Sequence, residues 1–183
     1  TITNESRIEI QGGSSAETGE RYLKYFSPVT VVGRGSYEDQ SLIYKPIYSS
    51  VRGTSWVSFP NLNSLTGRIY CVRRARGELK ALISNHDAVV SRMPTQLGYE
   101  AIKLCILYKK PIAVEMGGCV YDGLRNHGSL QGKLAARFAF KHVQNAILKC
   151  SYLSSVTSNF LQERYPSKTG AITVACPNVE IPE

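Results

Sequence analysis

Short apolar, β-branched runs alternate along this chain with longer stretches whose apolar residues recur every three or four positions. The short runs are VTVV at 29–32, stopped by Gly33; 56–59, stopped by Pro60; and 87–91, which carries AVV and is followed by Pro94. Further on come IAVEM at 112–116, introduced by Pro111; YLSSVT at 152–157; and AITVA at 171–175, ahead of Pro177. Helical spacing runs through 18–25, 66–84, 96–108, 130–149 and 159–165. Strand followed by helix, repeated, predicts an α/β fold, a Rossmann-like parallel sheet with helices on both faces. IAVEM is almost continuously apolar, which suits a strand covered on both sides. The clearest helix is 130–149, where Leu130, Leu134, Phe138, Val143, Ala146 and Ile147 make an apolar stripe expected to pack on the sheet, opposite a basic one. The stretch 33–55 is the least regular. Ile8 to Ile10 is short for the buried strand that normally opens such a fold, so the first strand is expected either outside the chain or in this IEI stretch.

A chain of 183 residues with 43% hydrophobic content suits one well-packed domain, 1–183. No apolar run approaches the roughly 20 residues that cross a bilayer, and TITNESRIEI lacks the basic and apolar blocks of a signal peptide. A soluble, cytoplasmic protein is expected. The five cysteines are odd in number, widely spaced and mostly set in apolar segments, which predicts neither a disulfide framework nor a Cys-x-x-Cys metal site. A net charge of +8 predicts attraction to phosphates, nucleic acid or an anionic membrane. Its distribution sharpens this: from Gly123 to Gln162 there is no acid, while Arg125, Lys133, Arg137, Lys141 and Lys149 all fall there. Lys133, Arg137 and Lys141 repeat at i, i+4 and line one helix face, either a solvated cationic face or a phosphate or membrane surface.

Ligands of doubly wound sheets bind at the carboxyl ends of strands, so the loops after strands hold the candidates. Gly12, Gly13 and Ser14 precede a helix and can offer N–H groups to a phosphate, or form a plain turn. Arg92 follows AVV, where a guanidinium can fork onto a carboxylate or diphosphate, or make a surface ion pair. The richest connection is 114–128, which packs Glu115, Gly117, Gly118, Asp122, Arg125, Asn126 and His127 together. Glu115 suits a general base or an acceptor for a sugar hydroxyl, and His127 a proton shuttle or phosphate donor. Singly these residues have structural readings, Asp122 as a helix N-cap among them; as a group they mark a functional loop. Residues 176–180 read as a turn or as a bridge into a further domain.

GGSSAETGERYLKYFSPVTVVGR near the start, SRMPTQLGYEAIKLCILYKKPIAVEMGGCVYDGLRNHG in the middle, and SVTSNFLQERYP with ACPNVEI at the end resemble the group 1 retaining glycosyltransferases of the GT-B fold, especially those building bacterial polysaccharides. The resemblance covers most of the chain in order. It implies the N-terminal, acceptor-binding domain of a two-domain enzyme that moves a sugar from a nucleoside-diphosphate donor to a saccharide or polyprenyl-diphosphate-linked acceptor, without a metal or other cofactor. The donor-binding C-terminal domain is expected to be absent from this chain, leaving it inactive alone. Gly12 and Gly13 match the family loop that approaches the diphosphate or reacting centre. The loop through Glu115 and Asp122 matches the segment carrying the family's acid or His-Asp pair, although Cys119 and Tyr121 depart from its commoner residues and leave the catalytic acid open among Glu115, Asp122 and His127. Arg92, Gly117, Gly118, Arg125 and Asn126 are expected to bind substrate. Glu9 and Glu17 share the spacing of the family's donor-binding glutamates, but they flank a Gly-rich loop and receive no role. A lipid-linked acceptor would place the protein peripherally on the inner membrane face. The alternative is a basic nucleotide- or nucleic-acid-binding Rossmann-like module without catalysis; no RRM, helix-turn-helix or zinc pattern accompanies the charge.

Overall fold

A computed structural model describes residues 22–34, 44, 46–48, 52–62, 64–126 and 130–176. The chain forms two compact units, 1–61 and 62–183.

In the first unit, β1 (Val29–Arg34) lies parallel to β3 (Thr54–Phe59), and β2 (Pro46–Tyr48) lies antiparallel to β3, giving the order β1-β3-β2. β1 and β3 are the strands expected at 29–32 and 56–59. β2 falls in the stretch read as irregular; it is three residues long and begins with Pro46, which is tolerated because β2 is an edge strand and Pro46 is its first residue. Gly53 turns into β3 at φ +92°, a conformation that strains a side chain, and its carbonyl accepts from Val29 N at 2.9 Å. Val57 and Phe59 are buried, and Tyr44 sits edge-on to the Phe59 ring at 4.9 Å.

In the second unit four parallel strands run in the order β4 (Val89–Met93), β5 (Ile112–Met116), β6 (Tyr152–Ser155) and β7 (Ile172–Ala175). The helices are α1 (Leu65–Tyr70), α2 (Val72–Ser84), α3 (Gln96–Tyr108), α4 (Val120–Asn126), α5 (Leu130–Ile147) and α6 (Phe160–Arg164). Parallel sheets flanked by helices make the fold α/β and Rossmann-like, as the alternation predicts. β4 begins two residues later than expected because its ladder is set by β5, with Val89 opposite Ile112 and Met93 opposite Met116. The helix expected at 66–84 is divided at Cys71. Ser64 caps α1 through Gly67 N at 3.1 Å, whereas the core stripe of α2 is Ala75, Leu79 and Ile83; Ile69 and Tyr70 lie off that stripe and stay exposed.

One face of the sheet carries the core: Ser91, Met93, Ile112, Val114, Met116, Leu153 and Ser155 are buried. The opposite face is thinner. Ala113 and Glu115 on β5 are half-buried, and Val90, Tyr152, Ile172 and Val174 are exposed, so the continuous apolar look of IAVEM overstated its cover.

α2 and α3 are clamped by a buried carboxylate. Glu100 is 2% exposed and accepts from Arg76 Nε at 2.6 Å, Arg76 Nη2 at 3.0 Å and Gln96 Nε2 at 3.0 Å. Removing Arg76 strands that charge, and breaking a buried pair costs about 3–5 kcal/mol. Because the Arg76 side chain is itself 43% exposed, solvent screening reduces the expected cost of Arg76→Ala to about 2–3 kcal/mol. A drop in the urea midpoint with an unchanged slope is the expected result; an unchanged midpoint would show that Lys103, 3.8 Å away, replaces Arg76 as partner.

Candidate functional site

The β4–α3 turn is built tightly around Arg92. Thr95 caps α3 by accepting from Gly98 N at 3.0 Å, while its hydroxyl donates to the Arg92 carbonyl at 3.1 Å. Ser91 Oγ donates to the Gly98 carbonyl at 2.9 Å. A Cβ on Gly98 would lie 2.6 Å from the Arg92 carbonyl oxygen, so only glycine lets the helix approach the strand end this closely. Gly98 was not singled out from the sequence; a glycine interrupting a helical pattern was its only signal.

Arg92 and Glu115 are register partners on β4 and β5, one position short of the strand ends, and their side chains meet at 3.3 Å. The pair stands on the thinly covered face, with Arg92 52% and Glu115 22% exposed. A carboxylate and a guanidinium side by side at a sheet edge can accept a hydroxyl proton and hold an anionic group respectively. Gly117 continues the ladder, donating to the Met93 carbonyl at 2.8 Å, and a Cβ there would meet that oxygen at 3.3 Å. Gly118 runs beside Pro94. These glycines keep the backbone after β5 close to β4.

Asp122 belongs to a different neighbourhood. It lies within the first turn of α4 rather than at its N-cap, where a negative charge complements the helix dipole, and pairs with Arg164 at 3.1 Å. Arg164 also donates to Cys119 Sγ at 3.3 Å. Tyr165, fully buried, donates to Cys119 Sγ at 3.4 Å and accepts from Val120 N at 2.9 Å, which satisfies the first N–H of α4. Burial, and then the hydrogen bond to Cys119, push this phenol well above its ordinary range, so it stays a donor. The connection read as one loop is therefore a strand end carrying Glu115, two glycines, and a short helix carrying Asp122, Arg125 and Asn126. His127, Gly12, Gly13 and Ser14 lie outside the described residues, as do Glu9 and Glu17.

Between α4 and α5 opens a cleft of about 530 Å³ lined by Tyr121, Arg125, Asn126, Lys133 and Arg137. Among the described residues, three cations and no carboxylate line it. Arg125 Nη1 donates to Tyr121 Oη at 3.1 Å, which steers the guanidinium. The structure thus joins Arg125 and Asn126, expected at a substrate loop, to Lys133 and Arg137, expected on a separate face; Lys141 is exposed and does not line the cleft. Tyr121 enters the sequence reading only as a departure from the family pattern, although its i, i+4 relation to Arg125 is a signal that the two can meet.

The expected apolar stripe of α5 requires correction. Ala136, Val143, Ala146 and Ile147 face the core, but Leu130, Leu134 and Phe138 are 78%, 84% and 69% exposed. A turn of about 3.6 residues carries an i, i+4 series round the helix by roughly 40° per step, so the stripe drifts off the core side toward its N-terminal end.

Cys105 and Cys150 are buried, and burial pushes each thiol up to about 11, which keeps them out of nucleophilic chemistry near neutral pH. Among the described residues no group of three or more His, Cys, Asp or Glu is placed to hold a metal ion, and no helix is long and apolar enough to cross a membrane.

No family model matches the chain, and no solved structure matches it. A protein of Staphylococcus aureus named Protein CapJ is 27% identical over 155 residues, which are 84% of this chain and 39% of that protein. The chain therefore spans about two fifths of the length of the curated relative it matches.

Proposed function

We propose that the chain serves bacterial capsular polysaccharide biosynthesis, as the acceptor-binding, Rossmann-like part of a glycosyltransferase that uses a nucleoside-diphosphate sugar. The likeness to CapJ supports the process, and the Arg92–Glu115 pair beside Gly117 and Gly118 is the observation that supports the chemistry. In this reading Glu115 accepts the hydrogen of the incoming hydroxyl while Arg92 holds an anionic part of the acceptor. Asp122, tied to Arg164, positions α4 so that Arg125 and Asn126 reach a phosphate. The acceptor is a saccharide or a polyprenyl-diphosphate-linked saccharide, and the donor domain lies in another part of the protein.

Titration of the chain with UDP- and GDP-sugars and with a polyprenyl-diphosphate sugar tests this. Binding of the lipid-linked acceptor with no binding of either nucleotide sugar is the expected result. Tight, salt-dependent binding of single-stranded nucleic acid, with neither ligand bound, would overturn it in favour of a nucleic-acid-binding module, the reading that the acid-free cleft also suits.

A further inference from the structure

The outer face of α5 interleaves apolar and basic residues rather than setting them on opposite sides. At about 100° per residue, with Leu130 as origin, Leu134 and Phe138 stand at about 40° and 80°, Arg137 and Lys141 at about −20° and 20°, and Lys133 at about −60°. The buried Ala136, Val143, Ala146 and Ile147 lie between about 160° and 260°, on the far side of the helix. Leu134, the most exposed large apolar residue among the described ones, is thus diametrically opposite the core and stands among cations.

Single exposed leucines are ordinary on protein surfaces, but three large apolar side chains stacked at i, i+4, i+8 are a contiguous patch. The patch continues across α3: the Phe138 ring meets His142 at 4.1 Å, and Tyr99 Oη lies 3.4 Å from His142 Nδ1. On the other flank lies the acid-free cleft with Arg125, Lys133 and Arg137. None of these three makes an ion pair among the described residues.

We propose that this face docks on an anionic lipid bilayer: Leu130, Leu134 and Phe138 enter the headgroup–acyl boundary, and the cleft between α4 and α5 takes a lipid phosphate. Charge selects this occupant. An apolar ridge flanked by cations matches an interfacial helix, whose apolar side enters the acyl boundary while lysines and arginines meet anionic headgroups. A nucleic acid would find Leu130 and Leu134, which offer no ring for a base to stack on, in the middle of its phosphate track. The docking surface rests on the glycosyltransferase reading only in giving that enzyme a reason to meet a membrane, and its own evidence is the geometry of α5.

The test is flotation of the chain with vesicles of phosphatidylcholine containing about 30% phosphatidylglycerol, against vesicles of phosphatidylcholine alone. Binding only to the anionic vesicles is expected. Leu134→Ala with Phe138→Ala should weaken partitioning about tenfold or more, from the lost apolar burial. Lys133→Gln and Arg137→Gln should each weaken it about fivefold. These side chains are exposed, so circular dichroism should show the variants folded. Leu134→Trp should give a blue-shifted emission on anionic vesicles. Equal binding to neutral vesicles, or partitioning unchanged by the leucine and phenylalanine substitutions, would overturn the proposal. So would a cleft that binds inorganic diphosphate while the chain ignores anionic vesicles, or a face that binds single-stranded DNA with Leu134 and Phe138 irrelevant. Vesicle binding without any saccharide or nucleotide-sugar binding leaves the docking surface standing and removes the enzyme; the reverse pattern removes only the docking surface.

Discussion

Glu115→Gln is expected to lower kcat/KM for sugar transfer by about 10²–10⁴-fold in the protein that carries this domain with its donor-binding part, the range a positioned general base contributes. The substitution keeps the shape of the side chain beside Arg92 but removes the charge that takes a proton. Folding stability should hardly change, because the pair is only partly shielded, Arg92 being 52% exposed, and such ion pairs contribute about 0–1 kcal/mol. Steady-state kinetics and a thermal melt on the same sample separate the two effects. A loss of activity that follows a loss of stability would make Glu115 a cross-strand pair and nothing more. Full activity in Glu115→Gln with none in Asp122→Asn would move the chemistry to α4 and to the carboxylate now paired with Arg164.

Tyr165→Ala is expected to destabilise the second unit by about 3–5 kcal/mol, the range for emptying a fully buried aromatic site. The ring is 0% exposed and stacks at a tilt against Phe140 at 5.1 Å, so its removal leaves a cavity between α5 and α6. At about 2–4 °C per kcal/mol for a chain of this size, the melting temperature should fall by roughly 6–20 °C. Tyr165→Phe isolates the hydroxyl. It leaves the Val120 N–H uncapped and should cost about 1–3 kcal/mol. Because α4 carries Arg125 and Asn126, the phenylalanine variant should also loosen the cleft while the fold persists, visible as faster amide exchange in 120–126. Equal stability of Tyr165→Phe and the parent protein would show that water caps α4 as well as the phenol does.

The alternation of strand and helix was legible because period and punctuation are local. α3 begins after Thr95, an N-cap residue whose side chain accepts from Gly98, and it ends at Lys109 in a left-handed conformation; the bounds 96–108 follow from the pattern. β5 was equally plain between Pro111 and Gly117. β2 was not, since three residues starting at Pro46 carry no alternation to read. α4 hid inside a Gly-rich stretch: its seven residues have no buried member, so no apolar stripe announces it. Its first N–H is satisfied by Tyr165, 45 positions further along the chain, which no local rule can reach.

The candidate site divides the same way. Glu115, Arg92, Asp122 and Arg125 are conspicuous by type and by place after strands. The sequence by itself determined that this chain would alternate strand and helix, that its middle loop would hold acids, cations and glycines, and that an acid-free cationic stretch would follow. Those are properties of neighbours along the chain. Only the tertiary structure decided that Glu115 pairs with Arg92 and Asp122 with Arg164, that Arg125 shares a cleft with Lys133 and Arg137, and that Leu130, Leu134 and Phe138 face outward. Register between parallel strands and the angle at which one helix meets another set those pairings, and both arise from packing between segments far apart in sequence.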